Sequence, residues 1–446
     1  KNKLSKKIFI KTLGCQMNEY DSNRILDLVK KINYSSTKNI EEANCYVLNT
    51  CHIREKATQK VYHDIGRLKK EFRNKKKPIL LITGCVAQAE GDEMIKNENY
   101  IDGVVGPQSY HEIPGIIQNI ENKINKINAT EFETIAKFDV LNSIKNTNSN
   151  VSSFLTIQEG CDKFCHFCVV PYTRGPEHSR SFTEIISEAK QLVDNGVKEI
   201  TLLGQNVNAY NFNNYRLSDL ITALNQMAGL KRIKYTTSHP KDMTEDLFNA
   251  HEINEKLMPL LHLPVQSGST KILRKMNRKH SIEEYCKIIE RLKRKKPDIK
   301  FSSDFIIGYP GETDSDFQET LGLMKKIKFI NSYSFVFSPR PGTPSSKLDL
   351  VNNKTAKQRL ATFQQLSDKI KKEYRKDILN TTRSVLFENK LKNENSYFGR
   401  DEYSNSVIVE SDINLSGTIR NVIINEFNKN TLFGKLKDSV KNGKAA

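Results

Sequence analysis

The sequence predicts an α/β protein of three parts: an N-terminal open α/β sheet domain, a central partial TIM-type (β/α)6 barrel and a small antiparallel C-terminal β-barrel. Three observations predict this fold class. Strand and helix patterns alternate near the amino terminus, six further strand and helix units follow in series, and five short β runs end the chain. A chain of 446 residues also exceeds what one hydrophobic core usually holds.

The composition indicates a basic protein. Lys and Arg number 70 against 52 Asp and Glu, which gives a formal net charge of +18. This balance favours a polyanionic partner, usually a nucleic acid, although a Lys- and Asn-rich composition that reflects an A/T-rich genome would give the same charge. No stretch approaches eighteen consecutive apolar residues and no signal peptide pattern opens the chain, so we expect a soluble, cytoplasmic protein without a membrane span.

Three cysteines in the N-terminal part each follow an apolar strand pattern. The strand patterns cover residues 7–13, 45–49 and 78–83. They end near Cys15, Cys51 and Cys85, and a helix is predicted from about Asp21. Because the carboxyl ends of parallel strands line one crevice of an open α/β sheet, these cysteines can meet although more than 30 residues separate them. The pattern predicts a three-thiolate metal site; the alternative is that these are small buried residues at strand ends.

A second set of cysteines lies in one short segment. Cys161, Cys165 and Cys168 have the spacing C-x3-C-x2-C. A [4Fe-4S] cluster takes four thiolates, so three ligands would leave one iron open. The alternative is a zinc loop with His166 as the fourth ligand. The other cysteines fall outside both sets and are predicted to be structural: Cys45 and Cys286.

The central part alternates strand and helix patterns six times. The strand candidates are residues 154–157, 199–203, 232–236, 260–263, 301–307 and 333–337. Such units in series predict a parallel sheet curled into a partial barrel, with chemistry at the loops that follow the strands. Those loops are rich in glycine and polar residues, among them Gly204, Gln205, Asn206 and Gly308.

The C-terminal part follows a long helix predicted over about residues 355–378. Its β runs cover residues 383–387, 397–400, 407–410, 417–424 and 431–436. That is the size of a small antiparallel barrel. Tyr397, Phe398, Arg400 and Tyr403 interleave aromatic and basic character, which suits base stacking and backbone neutralisation; the alternative is that the aromatic rings form the barrel core.

The cysteine segments resemble the motifs of a known family. Residues 12–18, 49–57 and 84–88 are similar to the three cysteine motifs of the methylthiotransferases, and residues 159–175 are similar to their radical S-adenosylmethionine (SAM) signature. The resemblance covers essentially the whole chain. It is closest to the MiaB branch, whose members act on N6-isopentenyladenosine of tRNA.

The resemblance implies a tRNA methylthiotransferase with two [4Fe-4S] clusters. The implied ligands are Cys161, Cys165 and Cys168 for the radical SAM cluster, and Cys15, Cys51 and Cys85 for an auxiliary cluster. One SAM would methylate sulfur bound to the auxiliary cluster. A second SAM, chelated to the open iron of the other cluster, would supply the 5′-deoxyadenosyl radical that activates carbon 2 of the adenine at position 37.

The resemblance also implies contacts and partners. Gly204, Gln205 and Asn206 would contact SAM, and the stretch from Asp304 to Gly308 would line its adenine side. The C-terminal barrel resembles a TRAM domain, an OB-like RNA-binding module. The implied partners are the tRNA anticodon loop and an electron donor such as flavodoxin or ferredoxin, whereas the sulfur donor stays unknown. We expect a monomer.

The predicted domains are an N-terminal methylthiotransferase domain (residues 1–125), a linker (126–149), the radical SAM core (150–377), an RNA-binding domain (378–440) and a tail (441–446). Three alternative functions stay open. Two sister branches act on an aspartate of a small-subunit ribosomal protein and on threonylcarbamoyladenosine of tRNA, but residues 49–57 and 173–180 fit the isopentenyladenosine branch best. The third alternative, from another class, is a non-catalytic, metal-stabilised RNA-binding protein.

Overall fold

The computed structural model describes residues 5–51, 57–124, 126–131, 134–392 and 395–437. The N-terminal elements are β1 (Lys6–Leu13), α1 (Gln16–Val29), β2 (Tyr34–Ser36), β3 (Cys45–Thr50), α2 (Ala57–Glu71), β4 (Ile79–Gly84), α3 (Cys85–Asn97), β5 (Gly103–Val105), α4 (Ile113–Glu121), β6 (Ile127–Ala129) and α5 (Thr134–Asn142). The six strands form one parallel sheet in the order β2-β1-β3-β4-β5-β6. The three strands that precede cysteines are therefore neighbours.

Both faces of this sheet are buried. Val47 and Leu81 belong to the hydrophobic cluster on one face, and Leu48 and Leu80 belong to the cluster on the other. Burial on both faces explains why these strands read as continuous apolar runs and not as alternating patterns.

Two N-terminal predictions are corrected by the structure. The helix predicted from about Asp21 begins at Gln16, because the Asn18 side chain accepts a hydrogen bond from the backbone N–H of Cys15 and closes the helix start. The linker predicted for residues 126–149 contains β6, which adds a sixth strand to the sheet, and α5. Phe138 and Leu141 of α5 pack into the N-terminal core. A three-residue strand is too short to show a periodic pattern.

The central elements are β7 (Ser152–Thr156), β8 (Gln158–Glu159), α6 (Val170–Arg174), β9 (His178–Ser179), α7 (Phe182–Asp194), β10 (Glu199–Leu203), β11 (Asn211–Phe212), β12 (Tyr215–Arg216), α8 (Leu217–Asn225), β13 (Arg232–Tyr235), α9 (Glu245–Ile253), β14 (Leu260–His262), α10 (Thr270–Lys275), α11 (Ile282–Lys295), β15 (Lys300–Ile307), α12 (Asp314–Ile327), β16 (Asn331–Val336) and α13 (Asn353–Asp377). The six predicted strands are β7, β10, β13, β14, β15 and β16.

These six strands confirm the partial barrel. β7, β10 and β13 pair in parallel, and so do β14, β15 and β16. A parallel bridge between Ile233 and Leu257 joins the two halves in chain order. β7 and β16 are the outer strands of this curved sheet, and the described pairings do not join them. The barrel is therefore open between its first and last strands.

The C-terminal strands are β17 (Thr382–Lys390), β18 (Ser396–Asp401), β19 (Ser406–Glu410), β20 (Ile419–Phe427) and β21 (Thr431–Leu436). They close into a barrel in the order β17-β18-β19-β21-β20. The predicted antiparallel arrangement is corrected at one pair, since β19 and β21 run parallel. A closed ring with an odd number of strands cannot alternate direction all the way round.

The C-terminal barrel contacts the amino ends of the central strands. Arg232, at the start of β13, donates to the carbonyls of Arg400 and Ser384 at 2.8 and 2.6 Å. The Tyr403 hydroxyl donates to the carbonyl of Asp298 at 3.0 Å. Among the described residues, no helix is both long enough and apolar enough to cross a membrane.

Candidate functional site

The cysteines after β1, β3 and β4 lie at one edge of the N-terminal sheet. Leu13, Thr50 and Gly84 are neighbours across the sheet, so the cysteines that follow them start from the same level. Cys51 lies next to the residue before Cys15, since a Cβ on Gly14 would lie 2.6 Å from the Cβ of Cys51. The sheet topology thus brings together the residues that the sequence pattern singled out. Residues 52–56 of the predicted motif 49–57 lie outside the described residues.

Glycines shape the backbone next to both cysteine sets. Gly84 has φ +95°, and a Cβ there would lie 2.1 Å from the carbonyl oxygen of Thr50 on the neighbouring strand. Gly160 has φ +74°, and a Cβ there would lie 1.8 Å from the carbonyl oxygen of Pro176. Positive φ and such close approach both require glycine. The conformation of the backbone therefore requires glycine directly before Cys85 and directly before Cys161.

Arg174 is a buried residue that links the two cysteine sets, and sequence reasoning missed it. Its side chain is 2% exposed. Its Nε donates to Cys85 Sγ at 3.4 Å, and its terminal nitrogens lie 3.2 Å from Asp21 Oδ2 and 3.6 Å from Glu159 Oε1. Glu159 stands two positions before Cys161, and Lys137 Nζ lies 2.5 Å from the same carboxylate. Two buried cations and two buried anions thus form one network, which limits the cost of burying them.

The electrostatics of this edge favour a thiolate at Cys15. The interaction with Cys51 lowers the pKa of the exposed Cys15 to about 5, and the charge of Arg174 acts in the same direction. Burial raises the pKa of Asp21 to about 6, although Arg174 and Lys137 oppose the shift. The thiolate is the form of cysteine that binds metal.

The second set lies in the loop between β8 and α6. Cys165 is buried, and Cys161 and Cys168 are half-buried. Asn277 donates to the carbonyl of Phe164 at 2.9 Å, and the backbone N–H of His166 donates to Met276 at 3.0 Å, so the loop is attached to the central barrel. Burial raises the pKa of Cys161 and of Cys168 to about 12.

Arg278 is a second buried arginine that sequence reasoning missed. One terminal nitrogen lies 3.5 Å from Cys165 Sγ, and the other donates to the carbonyl of Pro264 at 2.6 Å. Its Nε is buried without a hydrogen-bond partner among the described residues. Its position in the loops after the fourth central strand was the only signal in the sequence.

His166, the alternative zinc ligand, has its Nδ1 3.0 Å from the carbonyl oxygen of Lys275. Among the described residues, no three His, Cys, Asp or Glu side chains are already placed to hold one metal ion. A [4Fe-4S] cluster does not need such a placement, because each thiolate of a cluster binds a different iron.

Two of the predicted SAM contacts are hydrogen-bonded beside the cysteine loop. Gln205 accepts a hydrogen bond from the backbone N–H of Gly160 at 2.6 Å. Asn206 Nδ2 donates to Glu177 and Asp242 at 3.1 and 2.8 Å, while its Oδ1 is buried without a partner among the described residues. A Cβ on Gly204 would lie 2.5 Å from Gln158 Oε1. Glu177 and Asp242 also line a polar groove of about 310 Å³ next to the cysteine loop.

Asp304 and Gly308, which were predicted to line the adenine side of SAM, have different surroundings from each other. Asp304 is half-buried, and its carboxylate lies 3.4 Å from Nε2 of His262. Gly308 has φ +70° and packs against Ala356 of α13, with its N–H donating to Glu312 at 3.0 Å. Glycine is thus required at position 308, because φ is positive there and because a Cβ would lie 2.8 Å from the Cβ of Ala356 in α13.

Two family models match the chain. Residues 7–106 match "Uncharacterized protein family UPF0004", and residues 155–324 match "Radical SAM superfamily". The tRNA-2-methylthio-N(6)-dimethylallyladenosine synthase of Pelagibacter ubique (strain HTCC1062) is 60% identical over 443 residues, covering 98% of this chain and 99% of that protein. Proteins of the same name from Wolbachia pipientis subsp. Culex pipiens (strain wPip) and Rickettsia canadensis (strain McKiel) are 48% and 46% identical, covering 96% and 97% of this chain and 99% and 100% of theirs.

Solved structures share the fold at low sequence identity. The radical S-adenosylmethionine methyltransferase TsrM from Kitasatospora setae, with cobalamin and a [4Fe-4S] cluster bound, has a TM-score of 0.57 at 11% identity over 77% of each chain. The cobalamin-dependent S-adenosylmethionine radical enzyme OxsB has a TM-score of 0.51 at 10% identity over 82% of this chain and 56% of its own.

Proposed function

The chain belongs to the family of tRNA-2-methylthio-N6-dimethylallyladenosine synthases, and we propose that each of its two cysteine sets holds a [4Fe-4S] cluster. It is a radical SAM transferase that methylthiolates carbon 2 of N6-isopentenyladenosine at position 37 of tRNA. The radical SAM cluster and SAM follow from the family. The auxiliary cluster and all individual ligands are the proposal.

One observation carries the auxiliary cluster: three cysteines from separate strands converge where a buried cation donates to one of their sulfurs. The interaction with Cys51 lowers the pKa of Cys15, and Arg174 directs an N–H at Cys85 Sγ at 3.4 Å. N–H donors and positive charge near cluster sulfurs are ordinary features of iron–sulfur sites. Because Arg174 also pairs with Glu159, the same side chain fixes the spacing between this edge and the segment that leads to Cys161.

The residues around the cysteine loop fit SAM. When bound, SAM and the reduced cluster supply a 5′-deoxyadenosyl radical, which can break a C–H bond that no acid or base of the chain could usefully break. Arg278 suits the SAM carboxylate, since its buried Nε lacks a partner among the described residues and guanidinium groups bind carboxylates strongly. Asn206 Oδ1 is a buried acceptor without a partner among the described residues, and Gln205 accepts a hydrogen bond from the backbone N–H of Gly160.

The substrate and partners follow from the chemistry. An adenosine in an anticodon loop is unpaired, so it can be turned into the barrel at less cost than a paired base. The net charge of +18 suits the tRNA backbone. We also propose an electron donor such as flavodoxin or ferredoxin, action as a monomer, RNA binding by the C-terminal barrel, and a cytoplasmic location because the substrate is tRNA.

The test is iron and acid-labile sulfide per chain, measured on protein purified without oxygen. About eight irons are expected for the unaltered chain and about four for either triple alanine variant, one at Cys161, Cys165 and Cys168 and the other at Cys15, Cys51 and Cys85. The first variant should lose SAM cleavage to 5′-deoxyadenosine, and the second should keep it. Nucleoside analysis of tRNA should show product with the unaltered chain and with neither triple alanine variant. A matched control replaces the two cysteines outside both sets, Cys45 and Cys286.

Three outcomes would contradict the proposal. Zinc in place of iron, or unchanged iron in the first variant, would leave a metal-stabilised RNA-binding protein. Loss of SAM cleavage in the second variant would show that the two cysteine sets do not have the separate roles proposed for them. The control should keep all of its iron, which shows that cysteine replacement alone does not remove a cluster.

A further inference from the structure

Two large aromatic side chains lie exposed on the last strand of the open barrel. Tyr333 and Phe335 of β16 are 55% and 57% exposed. They pair in register with Asp304 and Ile306 of β15. Phe305, between those two residues, points the other way and packs 4.7 Å from the Phe363 ring of α13. Tyr333 and Phe335 therefore face the interior of the barrel, at its open side.

Polar groups stand directly beside the Tyr333 ring. The His262 ring meets it edge to face at a centroid distance of 6.1 Å. The carboxylate of Asp304 lies 3.4 Å from Nε2 of the same histidine. A ring for stacking next to a hydrogen-bonding acid and imidazole is an arrangement that suits a nucleobase, which has both an apolar face and a polar edge.

The two rings connect the C-terminal barrel with the cysteine loop. At one end, Arg232 of the central barrel donates to the carbonyl of Arg400 at 2.8 Å, and the positive charge of Arg400 acts on the Tyr333 hydroxyl. The guanidinium of Arg400 lies 5.3 Å from the centre of the Phe398 ring. At the other end, Ile306 packs against the same buried cluster as Phe167, which stands between Cys165 and Cys168.

We propose that Tyr333 and Phe335 form a stacking face on which unpaired bases of the tRNA anticodon loop rest as the target adenosine enters the barrel. Arg400 and Phe398 continue this face onto the C-terminal barrel. Arg400 Nε donates to Glu388 at 3.0 Å, and its terminal nitrogens would contact a neighbouring phosphate. The inference rests on the proposed function and adds to it the route of the RNA. Exposed rings interleaved with an arginine on a strongly basic chain favour single-stranded nucleic acid over a protein partner.

The test measures binding of an anticodon stem-loop RNA that carries N6-isopentenyladenosine next to 2-aminopurine. The protein is the full chain with its clusters, handled without oxygen. Tyr333→Leu and Phe335→Leu should each weaken binding about tenfold, and the double variant about a hundredfold, because each removes stacking on one base. Quenching of 2-aminopurine should be lost in parallel. Tyr333→Phe, which keeps the ring, should bind like the unaltered chain.

Tyr215→Leu is the matched control. Tyr215 is 47% exposed, and its ring stacks on Phe182 of α7 at a centroid distance of 4.3 Å. This variant should leave RNA binding unchanged. SAM cleavage without RNA should be the same in all variants, which shows that each is folded and loaded. Photocrosslinking of the RNA to the unaltered chain should label β16 and needs no variant.

The outcomes separate the two proposals. If the unaltered chain makes the methylthio product while the double variant binds RNA as tightly as it does, the stacking face is wrong and the proposed function stands. Equal weakening by Tyr215→Leu, or a crosslink that leaves β16 unlabelled, also overturns the stacking face. If the unaltered chain holds no iron and cleaves no SAM, the proposed function itself fails.

Discussion

The two cysteine sets differ in what brings their members together. Cys161, Cys165 and Cys168 are close because they share one loop, so their spacing can be read directly from the chain. Cys15, Cys51 and Cys85 are close only because β1, β3 and β4 are adjacent strands of one sheet. The first set depends on a loop conformation, and the second depends on the whole N-terminal sheet. A local disturbance should therefore affect them unequally.

The buried cation beside each set also differs. Arg174 is compensated by Asp21 and Glu159, whereas the structure describes no ion pair for Arg278, which donates to a carbonyl and lies near a sulfur. Its ion pairs with buried carboxylates make Arg174 important for the stability of the fold. Arg278 has no such described partner, so its positive charge can bind an anion. The comparison predicts different consequences when each cation is removed.

The largest expected effect is on stability when Arg174 is replaced. Arg174→Met leaves Asp21 and Glu159 buried with only Lys137 as a cation, and breaking a buried pair in this way costs about 3–5 kcal/mol. Arg278→Met removes no described carboxylate partner, so it should lower the denaturation midpoint less while weakening SAM binding. Both midpoints are measured on metal-free protein by circular dichroism, and SAM binding on the loaded protein. Equal loss of stability in the two variants would show that the two cations do not differ in role.

The next effect is a difference in thiol reactivity in metal-free, reduced protein. The pKa of Cys15 is lowered to about 5 and those of Cys161 and Cys168 are raised to about 12, so of these three thiols Cys15 is the one expected to be mostly thiolate at pH 7. Thiolate fraction favours Cys15 by about 10⁵, and the weaker nucleophilicity of a low-pKa thiolate offsets about 10³ of this, which leaves about a hundredfold. Iodoacetamide labelling followed by peptide mass spectrometry measures the rates.

The pH dependence gives the sharper form of this prediction. Labelling of Cys15 should rise to its plateau as pH passes about 5, because the thiolate predominates above the pKa. Labelling of Cys161 and Cys168 should still be rising well above pH 9. Cys45, whose pKa is raised by burial, serves as an unreactive control. A single common pH curve for all of these cysteines would contradict the contrast between the two sites.

The same contrast explains what the sequence could predict. The strand patterns ending at Cys15, Cys51 and Cys85 were informative because parallel strands with both faces buried read as apolar runs, and their carboxyl ends share an edge. Arg174 and Arg278 were not predictable. A charged residue in a helix or loop looks solvated in sequence, and its burial depends on partners such as Asp21 that lie far along the chain. Which arginines are buried, and which residues they pair with, is decided by tertiary packing.

The smallest expected effects come from glycines next to the two sets. Ala at Gly84 or Gly160 is strained by positive φ and meets a carbonyl oxygen, so each variant should lose about 1–3 kcal/mol of stability. Gly84→Ala should lower iron bound by the strand-end set, and Gly160→Ala iron bound by the loop set. Gly66→Ala is the control: it lies in α2 with nothing within 4 Å of the new Cβ, so stability should rise by about 0.5–1 kcal/mol. Because Gly160 lies in a loop while Gly84 ends β4 and pairs with Thr50 of β3, Gly160→Ala should unfold at a midpoint closer to that of the unaltered chain. The reverse order would mean that the loop, and not the sheet, is the more constrained of the two sites.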